Sequence, residues 1–114
     1  MMLITREQSE LLLANGRFSR EQDDFDPHPV VKLFTPDAGA TWLLTEIDPE
    51  DPTIAFGLCD LGLGSPELGS VSLSEIASIH GPLGLPVERD LHFQATQSIN
   101  VYADEARRVG RIVA

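Results

Sequence analysis

The residue types best suited to nucleophilic catalysis are scarce in this sequence. Cys59 is the one cysteine, and the three histidines lie far from it along the chain. A cysteine needs a neighbouring base or cation to become a thiolate, whereas the next residue is the acidic Asp60. We therefore predict that Cys59 is a small packed residue beneath Trp42. The scattered histidines form no zinc motif.

Carboxylates offer more chemistry than thiols do here. Asp60 and Glu67 flank a short glycine-rich stretch, and in a hairpin their side chains could converge as a general acid and base or as a metal pair. This arrangement supports one alternative function, a small metal-assisted hydrolase that uses Asp60 and Glu67. A second acidic group, interrupted by two prolines, does not match the EF-hand spacing, so we predict a solvated turn at Asp48, Glu50 and Asp51.

The glycine-rich stretch, residues 62–66, has a partial likeness to a phosphate-binding loop. The dinucleotide pattern requires a third glycine where Glu67 stands, and Pro66 lacks a backbone donor. We therefore predict a turn between strands. No catalytic residue, cofactor or metal is expected, and an enzyme is not the leading interpretation.

The charge is acidic and unevenly distributed. The 114 residues include 18 acids and 8 bases, a formal net charge of −10. Residues 33–87 contain no Lys or Arg, yet they carry eight acids, including Glu46. Binding a phosphate backbone requires clustered cations, so we expect no direct nucleic-acid binding. Three explanations of the acidic charge remain: a protein partner with a basic surface, a bound cation, or solubility alone.

Length and composition indicate one domain, residues 1–114, with one core. No stretch approaches the roughly 20 apolar residues of a membrane span, and the start has no signal-peptide pattern. A lone cysteine allows no internal disulfide. We therefore expect a cytoplasmic protein without a membrane partner.

The hydrophobic periodicity predicts an α+β fold: an antiparallel meander sheet of about four to five strands, with N-terminal and C-terminal helices and one short internal helix. Thr5 and Gln8 have the spacing of a capping box, and Gly16 suits a helix end. The predicted helices are Arg6–Asn15, Ser74–His80 and Gln97–Val109, and the predicted strands are Val30–Thr35, Thr41–Ile47, Thr53–Asp60, Leu68–Leu73 and Pro86–Phe93.

One register of the meander places the apolar side chains on a common face. A slip of one residue would exchange the two faces, so this pattern is the basis of the fold prediction. The predicted pairs are Ile47 with Ile54, Thr45 with Phe56, Leu43 with Leu58, Leu33 with Leu43, Leu58 with Val71, and Phe56 with Leu73.

The opposite face then carries Phe34 and Trp42, which makes it too apolar for plain solvent. Aromatic side chains on a partly exposed sheet are frequent binding anchors, so Phe34 and Trp42 are candidate partner-binding residues. Two alternatives remain open: the C-terminal helix covers this face, or a homodimer buries it.

Several segments spread along the chain share a family pattern: Leu3–Thr5, Leu12–Gly16, Pro29–Phe34, Thr41–Glu46, Phe56–Gly62, Pro66–Gly69 and Gly84–Asp90. Through these segments the sequence resembles the bacterial domain-of-unknown-function 2958 family over almost its whole length. The resemblance implies a small bacterial protein often encoded on plasmids and other mobile elements, and it implies no activity, cofactor or catalytic residue.

The leading hypothesis is a non-catalytic interaction or regulatory protein of mobile-element type. It would bind a protein partner through an acidic surface and an aromatic sheet face, with nucleic-acid mimicry as a variant. A third hypothesis, after the hydrolase, is a small-molecule sensor with a pocket at Trp42. The candidate partner-binding residues are Phe34, Trp42, Glu46, Asp48, Glu50, Asp51, Asp60 and Glu67.

Overall fold

The computed structural model describes residues 3–114, and within them three helices pack on a five-stranded antiparallel sheet. The strands lie in the order β4-β3-β2-β1-β5, so consecutive strands are neighbours and β5 closes the β1 edge. The α+β meander is therefore confirmed. The elements are α1 (Arg6–Ser19), β1 (Val31–Phe34), β2 (Thr41–Asp48), β3 (Asp51–Asp60), β4 (Glu67–Ser72), α2 (Leu73–Ser78), β5 (Glu88–Arg89) and α3 (Ile99–Val109).

Helix α1 begins as expected and ends later than expected. The Thr5 side chain accepts from the backbone of Gln8, and the Gln8 side chain accepts from the backbone of Thr5, which completes the capping box. The helix continues through Gly16 to Ser19. A Cβ on Gly16 would lie 2.0 Å from the backbone oxygen of Ile47, so this glycine permits close contact with β2 instead of ending the helix.

The remaining elements differ from the predictions mainly in length. Ser98 caps α3, and Gly110 ends it with φ 91°, in the left-handed region that favours glycine. The fifth strand comprises only Glu88–Arg89, shorter than the predicted Pro86–Phe93. The chain from 81 to 86 is instead a loop with prolines at two positions, which removes donors that a ladder requires.

The predicted register of the β2–β3 hairpin agrees with the structure at one end only. Leu43 lies opposite Leu58, as expected. A β-bulge between Leu44 and Glu46 leaves Thr45 outside the ladder, so Phe56 pairs with Glu46. The predicted pairs Thr45 with Phe56 and Ile47 with Ile54 are wrong, and Ile47 lies opposite Ala55.

The flanking hairpins are shifted more than the central one. Leu33 pairs with Trp42 and not with Leu43. Val71 pairs with Ala55, while Leu58 pairs with Leu68. Both errors follow from misplaced turn centres, because the sequence pattern does not fix how many residues a loop contains.

Both faces of the sheet are covered, each by its own helices. One core cluster includes Leu12 of α1, Trp42 and Ile76 of α2, whereas Leu43 and Leu58 pack in a second cluster with α3. Val71 packs against the first cluster, so Leu43 and Val71 lie on opposite faces. The prediction of a single apolar face is wrong. The α3 cluster comprises Leu43, Leu58, Ile99, Tyr102, Ala103, Ala106 and Ile112.

Phe34 and Trp42 consequently lie on opposite faces, since Leu33 is the residue that pairs with Trp42. Trp42 is 2% exposed and belongs to the cluster of α1 and α2. The C-terminal helix was the expected cover for Trp42, but α3 packs on the other face. The proposed aromatic contact surface therefore does not form. No helix within residues 3–114 is long and apolar enough to cross a bilayer.

Candidate partner-binding cleft

A cleft of about 220 Å³ opens where the end of α1 meets the β2–β3 turn. Two of the residues singled out from the sequence, Glu46 and Asp48, line it. The walls come from α1, from β2 with its bulge and turn, and from β3 and β4. The lining residues are Gly16, Ser19, Arg20, Glu46, Asp48, Pro49, Ile54, Ala55, Phe56 and Ser70.

The β-bulge that precedes Glu46 is tied to elements on both sides. The buried Thr45 hydroxyl donates to the backbone oxygen of Phe56 over 3.2 Å. The side-chain amide of Asn15, on α1, donates to the backbone oxygen of Thr45 over 2.9 Å. Bulges redirect side chains next to functional sites, and here the two hydrogen bonds hold the redirected segment in place.

Glu46 is held against the last turn of α1. The Ser19 hydroxyl lies 2.5 Å from Oε2 of Glu46 and 3.1 Å from the backbone oxygen of Gly16. A hydroxyl carries one proton, and the shorter contact with a charged acceptor identifies Glu46 as its main acceptor. The half-buried carboxylate is thereby fixed at the wall of the cleft.

Arg20 joins the two acids of the turn. Its Nη2 lies 2.7 Å from Oδ1 of Asp48, and its Nη1 lies 3.3 Å from Oε1 of Glu50. The same Asp48 oxygen accepts from the backbone N–H of Glu50 over 2.9 Å. Two carboxylates, Glu46 and Asp48, and the one guanidinium of Arg20 line the cleft, so its lining keeps one net negative charge.

The cleft also has apolar lining residues, Ile54, Ala55 and Phe56 of β3 and Pro49 of the turn. Carboxylates beside apolar lining match a side chain with an aliphatic stem and a cationic head. The geometry therefore suits Lys or Arg better than a neutral or anionic group.

Asp51 lies outside the cleft, on the exposed side of the turn. Its Oδ1 accepts from the hydroxyl and the backbone N–H of Thr53, over 2.6 and 3.1 Å. These two hydrogen bonds hold the pKa of Asp51 below its ordinary value. Its role is to shape the turn.

The predicted convergence of Asp60 and Glu67 is wrong. Asp60 is 3% exposed and pairs with Thr41, and its two oxygens accept from the backbone N–H groups of Gly62 and Ile112 over 2.8 and 2.9 Å. Glu67 is exposed and lies opposite Cys59, so strand alternation directs it to the other face. The two carboxylates cannot share a proton or a metal ion, and the hydrolase hypothesis loses its catalytic pair.

Cys59 is a packed residue, as predicted. It lies opposite Trp42 in the ladder and packs against the cluster of α1 and α2. Burial raises the pKa of the thiol to about 11, so the thiol stays protonated near neutral pH. Within residues 3–114 no group of three or more His, Cys, Asp or Glu side chains is arranged to hold a metal ion.

A hollow of about 230 Å³ lies beside Trp42, between α2 and β4. Leu61, Ile76 and Ile79 line it together with the buried edge of Trp42. The sequence hypothesis of a sensor requires a pocket at this position, and the hollow supplies the space without showing that anything binds.

Three cleft residues were missed from the sequence: Ser19, Arg20 and Phe56. Ser19 and Arg20 were assigned to a loop because Gly16 was taken as the end of α1. A helix that runs on to Ser19 brings both residues beside β2, and only the close approach of Gly16 to Ile47 makes this possible. Phe56 was assigned to the face of Leu43 and Leu58, and its part in the cleft follows from its pairing with Glu46 across the bulge.

The fold and the cleft define a small α+β domain with a polar cleft at one end of its sheet. The chain belongs to the family described as "Protein of unknown function (DUF2958)", whose profile matches residues 3–113. No curated protein and no solved structure matches the chain.

Proposed function

We propose that this chain is a non-catalytic protein-binding domain that receives a Lys or Arg side chain of a basic partner in the cleft of α1, β2 and β3. The cleft itself is the observation that carries this proposal: carboxylates held by hydrogen bonds lie beside apolar lining residues. The family resemblance suggests, in addition, a regulatory role on a bacterial mobile element.

The size of the cleft favours one side chain over a larger ligand. Small-molecule sites are usually clefts of about 300–1,000 Å³, whereas this one measures about 220 Å³. Binding energy in protein interfaces concentrates in a few residues, Arg prominent among them, that fill well-packed pockets. A single cationic anchor in this cleft would fit that pattern.

The charge of the surrounding chain supports the same partner. Residues 33–87 lack Lys and Arg. The cation at the cleft is therefore Arg20 of α1, which pairs with Asp48 of this acidic segment. Such a field accelerates encounter with a basic surface and repels anions, and its effect weakens as salt is added. Affinity that falls with ionic strength is therefore expected.

The test is an NMR titration of the full chain with the peptide acetyl-Gly-Gly-Arg-Gly-Gly-amide. A peptide with citrulline in place of arginine keeps the shape and removes the charge. We expect amide shifts at Ser19, Glu46 and Phe56, and affinity at least tenfold weaker for the citrulline peptide. Glu46→Gln should weaken arginine binding severalfold, whereas Glu75→Gln, an exposed acid on α2, should not.

Equal shifts with both peptides, or shifts away from the cleft, would overturn the proposal. A co-purification from the native host then identifies the partner by mass, and the partner should be released by salt and lost from the Glu46→Gln variant.

A second candidate function, a sensor, is favoured by the position of the hollow beside Trp42, whose volume of about 230 Å³ restricts the ligand to a molecule smaller than those bound in sites of about 300–1,000 Å³. Because Trp42 is the one tryptophan, its fluorescence reports on this site. A ligand from a metabolite library that fills the hollow should change the emission, and the change should be absent in Ile79→Phe, whose larger side chain occupies the space and adds no second tryptophan. Emission that stays constant across the library would remove this candidate.

A further inference from the structure

Three loops meet at the end of the sheet opposite the cleft. They are residues 35–40, 61–66 and 81–86, which join β1 to β2, β3 to β4, and α2 to β5. Gly39 and Gly62 touch, because a Cβ on Gly62 would lie 3.2 Å from the backbone of Gly39. The Asp37 carboxylate accepts from the backbone N–H of Leu83 over 2.7 Å. The first loop therefore holds the other two together.

These loops present leucine side chains to solvent. Leu63 is 82% exposed and Leu83 is 80% exposed, and Leu61 and Leu85 are 61% and 42% exposed. Single exposed leucines are ordinary, but four on neighbouring loops expose on the order of 500 Å², within the range of functional patches on monomers.

The backbone of these loops depends on glycine. Gly62, Gly64 and Gly84 have φ between 80° and 86°, which other residues rarely adopt. Gly81 packs directly on the Asp37 carboxylate, where a Cβ would collide with it. These glycine conformations and contacts shape the backbone of the loops, on which all four leucines are exposed.

The charges around the leucines define what can cover them. The three loops contain no Lys or Arg, and they carry Asp37, with the exposed acids Glu67 and Glu75 on the adjoining elements. Ile112 donates a hydrogen bond to Asp60, the residue before the second loop, and this contact brings the neighbouring Arg111 to the same end of the sheet. The charge of Arg111 therefore offsets one acid. An anionic lipid surface and a second copy of this acidic end would both meet like charge.

We propose that this end, formed by Leu61, Leu63, Leu83 and Leu85, is a second docking surface, for a protein segment with an apolar stripe bordered by Lys or Arg. An amphipathic basic helix has this chemistry. The surface is distinct from the cleft, because five residues of β3 separate Phe56 of the cleft from Leu61 by about 16 Å. The domain then binds at both ends of its sheet.

The experiment uses two 14-residue amphipathic helical peptides, one of Leu and Lys and one of Leu and Glu, titrated into the full chain. The Leu/Lys peptide should shift amides 61–64 and 83–85, and the Leu63→Ser/Leu83→Ser double variant should bind it at least tenfold more weakly. Leu11→Ser, at a 57% exposed leucine of α1, is the matched control and should bind normally. Glu46→Gln should also bind normally, which separates this surface from the cleft.

Four outcomes would overturn the proposal. They are equal binding of the Leu/Glu peptide, shifts of the Leu/Lys peptide that map elsewhere, binding to phosphatidylglycerol vesicles that the double variant loses, and self-association in sedimentation that the double variant abolishes. Circular dichroism of the double variant confirms that it is folded, since both leucines are exposed.

Discussion

The backbone N–H of Ile112 donates a hydrogen bond of 2.9 Å to Oδ2 of Asp60, a carboxylate 52 residues earlier in the chain. The same carboxylate accepts from Gly62, so one buried side chain joins the end of β3, the following loop and the segment after α3. Asp60 was selected from the sequence as a catalytic or partner-binding candidate, and its contacts make it a structural anchor.

Replacing Asp60 should therefore destabilise the fold. Asp60→Ala leaves two backbone donors without their charged acceptor, and we expect a loss of about 2–4 kcal/mol in the free energy of unfolding. Urea denaturation measures the loss, and hydrogen exchange at the Ile112 amide should accelerate more than exchange at Leu43. Glu67→Ala, at an exposed acid, should change stability by no more than about 0.5 kcal/mol. Equal losses in both variants would contradict the anchor.

Gly16→Ala tests the close contact between α1 and β2. The added Cβ would lie 2.0 Å from the Ile47 oxygen, which is backbone and cannot rotate away. Helix propensity favours alanine by about 1 kcal/mol, yet we expect a net destabilisation of about 1–3 kcal/mol from overpacking. The matched control is Gly69→Ala on β4, where nothing lies within 4 Å of the new Cβ. A stabilised Gly16→Ala protein would show that the helix can move away from the sheet.

The thiol of Cys59 makes stability depend on pH in the alkaline range. Burial raises its pKa from an ordinary 9.0 to about 11, so the folded state favours the neutral thiol. The neutral thiol's contribution to the free energy of unfolding is complete below pH 9 and is lost as the pH rises from 9 to about 11. The melting temperature, measured by thermal denaturation, should fall more steeply across that pH range for the native chain than for Cys59→Ala. Alkylation by iodoacetamide at pH 8 should also be slower than that of free glutathione, and equal rates would contradict the burial.

Arg20 competes with any cation for the acids of the cleft. Arg20→Gln frees Asp48 and Glu50 from their ion pairs, so the arginine peptide should bind at least threefold more tightly. Arg17→Gln changes the net charge equally, from an exposed position on α1 outside the cleft, and should have a smaller effect. Calorimetry at two salt concentrations provides the comparison. Weaker binding by Arg20→Gln would show that Arg20 positions the carboxylates instead of competing with the ligand.

The sequence was sufficient for several helix ends that neighbouring residues define. The capping box of Thr5 and Gln8 forms as predicted, and α3 ends at Val109 as predicted. The meander follows equally from short connections.

Register and site could not be predicted because they depend on contacts between distant segments. Thr45 lies outside the ladder, where it is hydrogen-bonded to Asn15 of α1 and Phe56 of β3. No pattern in the neighbouring sequence predicts this bulge. Trp42 was assigned to an exposed face because its cover comes from helices remote in sequence. Glu46 and Asp48 were selected by charge alone, and their partners Ser19 and Arg20 become neighbours only once the fold has formed.

The bulge at Thr45 absorbs one residue without changing the alignment on either side: Leu44 faces Gly57 and Glu46 faces Phe56, two consecutive residues of β3. A chain lacking Thr45 could retain the pairs on either side of it, from Trp42 with Cys59 to Ile47 with Ala55, as a regular ladder. The wall of the cleft can thus be gained or lost by one insertion or deletion, so evolution can alter it independently of the scaffold.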